Sequence, residues 1–166
     1  MVSVLFARPD SFYKQICEDV YDIDRDARTF KGANSVVCHP PCRAWGRLRH
    51  LAKPRSDEMD LARFAISVVR RNGGVLEHPE GSTLWQDQKL SPPGSFPDEF
   101  GGYTIIVDQS WFGHRARKRT LLYIVGTDDL PKLPNWHDRP KPQTTVDRLS
   151  TKHREATPES FARWLV

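Results

Sequence analysis

Apolar and polar positions follow two rhythms along this chain, and the places where one gives way to the other mark the elements. Leu61, Phe64, Ala65, Val68 and Val69 recur at three- and four-residue intervals and therefore share one face of a predicted helix. Ser56 is placed to cap it, Asp57, Glu58 and Asp60 fill a first turn that favours acids, and Gly73-Gly74 stops it. Elsewhere short β-branched and aromatic runs predict strands over Ser3 to Ala7, Val20 to Asp24, Asn34 to Cys38, Val75 to His78, Tyr103 to Val107 and Thr120 to Val125. Ser11 to Ile16, with Cys17, is predicted as a short helix or turn. Ser91 to Gly102 is a loop, punctuated by Pro92, Pro93, Gly94 and Pro97. Asp128 to Thr145 is polar and proline-rich, and residues 127–148 are expected to form a surface excursion. Pro158, tolerated in a first helical turn, opens a last short helix through Leu165. Helix and strand signals that alternate in this way predict an α/β single domain with a mostly parallel central sheet and flanking helices.

Composition narrows the setting. The 166 residues are enough for one domain with its own core. The three cysteines are an odd number, and the apolar run Met1 to Phe6 is short and followed at once by Arg8 and Asp10. Together these predict a reducing, cytoplasmic setting without a disulfide framework. No run approaches the ~20 apolar residues that cross a bilayer. The net charge of +4 matters through its distribution. Arg43, Arg47, Arg49, Lys53 and Arg55 follow Cys42 with no intervening acid, and Arg115, Arg117, Lys118 and Arg119 form a second block. Two such clusters suit a polyanion such as DNA; a solvated basic surface is the ordinary alternative.

Three predicted strand ends carry reactive groups. Val36-Val37-Cys38-His39-Pro40-Pro41-Cys42 is a strand halted by prolines, which presents Cys42 on a stiff loop. Glu77 closes the strand begun by Val75-Leu76, and Phe112 to Lys118 brings cations. A thiol, a carboxyl and a cation are what covalent chemistry on a pyrimidine needs: addition to ring carbon C6, a hydrogen bond or proton at a ring nitrogen, and support for the developing charge. Trp45 and Trp111 are candidates to wall the pocket or fill a vacated base stack, and are equally suited to the core. Cys38, His39 and Cys42, with His50, His78 and His114 elsewhere, raise a metal site; the spacing fits no zinc pattern, and no metal is expected.

These motifs resemble the DNA cytosine-C5 methyltransferases over most of the chain, and also small phage and prophage proteins. The Pro41-Cys42 turn is similar to that family's nucleophile loop, which implies a covalent role for Cys42. Gly74-Val75-Leu76-Glu77-His78-Pro79 resembles its Glu-Asn element, which implies that Glu77 holds the cytosine edge. Asp108 to Gly126 resembles the later Phe/Tyr-Gly, Gln-Arg-Arg and apolar-strand element, with Arg117 and Lys118 at arginine positions. Leu149 to Leu165 is more weakly similar to a late helix. The resemblance also implies a Rossmann-like methyltransferase fold, S-adenosylmethionine near Phe6 and Asp22, and DNA, either duplex with a flipped base or single-stranded, held by Arg43, Trp45, Arg47, Arg49, His114 and Arg115. The sequence departs from the pattern in several places. Ala7-Arg8-Pro9-Asp10 has no glycine where the cofactor turn is expected, His78 and Ala116 replace an asparagine and a glutamine, and residues 127–148 are short for a target-recognition domain. A methyltransferase-like frame that has lost catalysis and binds nucleic acid or protein, as in counter-defence, is the alternative expectation.

Overall fold

The computed structural model describes residues 1–166 and gathers six strands into one mixed sheet. Strands β1 (Val2–Leu5), β2 (Asp19–Val20), β3 (Ser35–Cys38), β4 (Gly74–Pro79), β5 (Tyr103–Asp108) and β6 (Arg119–Val125) lie in the order β2-β1-β3-β4-β6-β5. The first four pair in parallel, whereas β6 runs antiparallel to both β4 and β5. Five strands therefore end at one edge of the sheet, and β6 begins there. That edge is where ligands bind in open α/β sheets.

Side-chain alternation along the strands builds two cores. Leu5, Val36, Cys38, Leu76, Leu121 and Tyr123 face one side, where helix α2 (Glu58–Asn72) packs with Ala62, Ala65, Ile66, Val68 and Val69. Val4, Val37, Val75, Leu122 and Ile124 face the other, against Tyr13 of the single-turn helix α1 (Tyr13–Ile16) and Phe161 and Ala162 of a C-terminal helix (Glu159–Leu165). The expected face of α2 is the one buried, except that Phe64 stays partly exposed. Gly73 (φ 75°) ends this helix and donates to Val69 O; its positive φ is a conformation that glycine adopts freely. Two further one-turn helices were not anticipated: α3 (Leu84–Asp87) and α4 (Thr151–Glu155), which makes the C-terminal helix α5.

Two boundaries differ from expectation for local reasons. The second strand stops at Val20 because the Asp22 carboxylate accepts from the amides of Asp24 (2.9 Å) and Arg25 (3.1 Å) and turns the chain. The α2 cap falls at Asp57 rather than Ser56, and the first helical residue, Glu58, is fully buried in an ion pair with Arg43. Residues 127–148 run over the surface as expected, tied back by a bridge between Ala116 and Thr144 and by Gln143 N–H donating to Arg115 O (2.8 Å).

Trp45 is the largest fully buried side chain (2% exposed), three residues beyond Cys42. Its amide donates to Cys42 O (3.0 Å) and its carbonyl accepts from Thr83 N (3.0 Å), so the loop bearing the thiol is pinned to the core. Trp45→Ala is expected to cost about 3–5 kcal/mol in denaturant unfolding and to free the loop, with Trp45→Phe recovering most of the loss.

Candidate active site

Alternation along β4 sends Glu77 to the face shared by Val75 and Val37, and His78 to the opposite face. His39, two residues past Val37, reaches the same side as Glu77, and its Nδ1 lies 3.0 Å from Glu77 Oε2. Gln109, just past β5, donates from Nε2 to Glu77 Oε1 (3.1 Å) and to Thr120 Oγ1 (3.0 Å). Burial works to raise the Glu77 carboxyl, but the His39 hydrogen bond and the Lys118 charge outweigh it and hold the group at about 2. Glu77 is a carboxylate with both oxygens held.

Cys42 sits in a turn whose carbonyl also accepts from Gly46 N (2.8 Å), with its side chain partly exposed. Burial and the neighbouring Glu77 charge push the thiol up to about 11, against the pull of Lys118. At neutral pH the group is a thiol that becomes nucleophilic as its proton leaves. Lys118 is the cation common to Cys42 and Glu77. Arg117, one position earlier, points away, with its side chain 64% exposed and Nε 3.5 Å from Asp108. Neighbouring residues of an extended chain face opposite ways, so only one of the two paired cations reaches the site.

The neighbouring elements fix the thiol loop from three directions. Trp45 anchors it to the core, Arg43 pairs with buried Glu58, and His78 lies behind it. His78 Nδ1 meets Ser82 Oγ (2.7 Å), its ring stacks on Trp85 (6.4 Å), and its Nε2 faces the Pro41 carbonyl without completing a hydrogen bond. Burial holds this imidazole neutral, at about 4, although Glu77 pulls the other way. Both His78 and Glu77 make the fold acid-sensitive. His78 would take a proton near 6.5 when unfolded and only near 4 when folded, so its contribution is present above 6.5 and lost as pH falls through 4, about 3 kcal/mol in all. Glu77 adds a second loss as pH falls from 4.5 through about 2. Thermal melts at fixed ionic strength should fall steadily between pH 7 and pH 4, and His78→Gln should flatten that limb alone.

Several expected site residues have other employment. Trp45 is a core anchor, so it does not contact a base. His114 is buried, with Nδ1 at Ala116 O (2.8 Å) and Nε2 at His153 O (3.2 Å), and holds α4 instead of a phosphate. Arg43 is neutralised by Glu58, while Arg47, Arg49 and Arg115 are exposed. Trp111 is half-buried and stacks under Arg139 (4.0 Å). Cys38 is turned into the core, which keeps it from joining His39 and Cys42, and no cluster of His, Cys, Asp or Glu is arranged for a metal. Sequence reasoning missed His39, Tyr13 and Gln109 as site residues; the period-2 spacing of Val37 and His39 was the available signal.

The end of β1 does not fit S-adenosylmethionine. Phe6 occupies a left-handed conformation (φ 64°) that glycine would adopt freely, and the amide after it, Ala7 N, is spent on Tyr21 O (2.8 Å). His39 N–H closes the other side onto Leu5 O (3.0 Å), and Tyr13 packs against His39. Asp22, the expected ribose ligand, pairs with Lys14 and its own turn amides, which hold its carboxyl below the usual range. No family model, curated protein or solved structure matches the chain. No helix is long and apolar enough to cross a membrane.

Proposed function

We propose that this protein acts on pyrimidine bases of DNA through covalent addition of Cys42 to ring carbon C6. One observation carries the reading: the thiol loop past β3, Glu77 near the end of β4 and Lys118 just before β6, distant in sequence, come to the same strand-end edge of the sheet. The resemblance to the cytosine-C5 methyltransferases assigns the nucleophile, the ring-edge carboxyl and a supporting cation to these residues. The thiol supplies the nucleophile. The held carboxylate accepts from an exocyclic amino group such as that of cytosine, and Lys118 offsets charge building on the ring. The target base must leave the stack or arrive single-stranded, since the thiol reaches only an open ring face. Exposed Arg47 and Arg49, with Leu48 (56% exposed) and Leu51 (73% exposed) between and beyond them, follow the thiol loop with an apolar and cationic surface suited to a distorted strand.

Addition at C6 makes C5 exchange its hydrogen with solvent without any second substrate. Release of tritium from 5-tritiated cytosine in single-stranded and duplex DNA therefore reports the adduct directly. The expected result is release by the wild type and background levels with Cys42→Ser; equal release by both would overturn the reading. The burial of Tyr13 against His39 beside the end of β1 favours a second reading, in which the frame binds nucleic acid or protein without catalysis. DNA binding retained in both chains with no release by either would favour it.

A further inference from the structure

Behind Glu77 runs a buried chain of titratable groups. His39 Nδ1 is 3.0 Å from Glu77 Oε2, and His39 Nε2 is 2.9 Å from the Tyr13 hydroxyl. Tyr13 is 1% exposed, and the side chains of His39 and Glu77 are 11% and 12% exposed. The Tyr13 ring tilts over the imidazole at 5.3 Å. Tyr13 of α1 and Glu77 of β4 face His39 directly; Lys118 and Cys42 act on Glu77 from the approach to β6 and from the thiol loop, and His78 acts on it from the opposite face of β4. Burial and the Glu77 charge keep the Tyr13 phenol protonated.

An ionised carboxylate has no proton to give, yet addition to the ring demands one. As sulfur bonds C6, the electron pair of the C5–C6 double bond moves through C4 onto N3, which must be protonated for the adduct to persist. Resting on the pyrimidine reading above, we propose that His39 is the proton store for Glu77, loaded on both nitrogens at rest, with Nδ1–H donating to Glu77 and Nε2–H to the Tyr13 oxygen. On addition the Nδ1 proton passes to Glu77 and a proton passes from Glu77 to N3. His39 is left neutral, with Nε2–H still on Tyr13. The thiol proton goes to water. When the S–C6 bond breaks, N3 returns its proton to Glu77 and His39, and sulfur is reprotonated from water. His39 does not touch the base; it sets the charge and aim of the group that does.

The rate then follows the product of thiolate and doubly protonated His39. It rises with pH while His39 keeps both protons and levels off once the second is lost, because the gain in thiolate is offset. His39→Gln keeps an N–H for Glu77 but cannot reload it. Tritium release by this variant is expected to fall about tenfold or more near pH 6 and to keep climbing with pH where the wild type has levelled. DNA affinity should be unchanged. Nitrogen-15 NMR of the wild type should show protons on both His39 nitrogens near pH 6 and loss of one in Glu77→Gln. A His39→Gln profile parallel to the wild type, or a bare Nε2 throughout about pH 5 to 8, would overturn the proton store while leaving Cys42 addition intact. Absence of any Cys42-dependent release overturns the pyrimidine reading and this role with it, whatever the NMR shows.

Discussion

Glu77→Gln is expected to lower tritium release from cytosine by about a hundredfold or more and to cost about 3 kcal/mol of stability at neutral pH. Both effects follow from loss of the charge. The amide keeps the shape and still meets His39 and Gln109. The His39 hydrogen bond and the Lys118 charge, which hold the carboxyl at about 2, outweigh the desolvation that the amide would relieve. On the proposed mechanism the amide also cannot relay a proton to N3. Acid melts provide the check. The loss of stability as pH falls from 4.5 through about 2 should vanish in the variant, while the His78 limb at higher pH stays.

Gly74→Ala should abolish folding or come close to it. Gly74 pairs with Val36 where the β3–β4 ladder begins, at φ 121°, and an added Cβ would lie 2.6 Å from Val36 N and closer still to its carbonyl oxygen. Both neighbours are backbone, so nothing flexible can yield without opening the ladder that carries Cys38 beside Leu76. The expected cost is above about 4 kcal/mol, against a total stability of about 5–15 kcal/mol for an ordinary domain. Gly94→Ala is the control. It shares a positive φ (78°) but has open space where the Cβ would go, so it should show backbone strain alone, about 1–2 kcal/mol by urea unfolding.

Local pattern was sufficient for most elements, because β-branched runs and the α2 stripe each express a periodicity that packing enforces. It could not reveal the reversal of β6, since alternation is identical in either direction. Nor could it separate a strand continuing to Asp24 from a turn closed by the Asp22 carboxylate. Cys42 and Glu77 stood out because prolines mark the ends of their strands. Lys118 and Arg117 looked equivalent until register assigned one to the site and the other to solvent. The contacts of His39 with Tyr13 and Glu77, and of Gln109 with Glu77, join residues 26, 38 and 32 apart, beyond any local signal. Trp45 and His114 misled for the converse reason: aromatic and imidazole groups next to basic runs look like ligands, and only tertiary packing shows that they hold loops.

The reversed strand also bears on how the chain reaches its native state. β5 and β6 are consecutive antiparallel strands whose ladder closes a short loop, whereas β1 to β4 need crossovers and long-range pairing. The hairpin, carrying Gln109 and Lys118, is the natural early structure, and the parallel half, carrying His39, Cys42 and Glu77, assembles more slowly. Within the sheet the two halves meet along the β4–β6 ladder, which sets Glu77 opposite Leu122. Refolding should therefore recover hairpin protection in hydrogen exchange before that of β1 to β4, with His39, Cys42 and Glu77 brought to Gln109 and Lys118 only as that last seam zips shut.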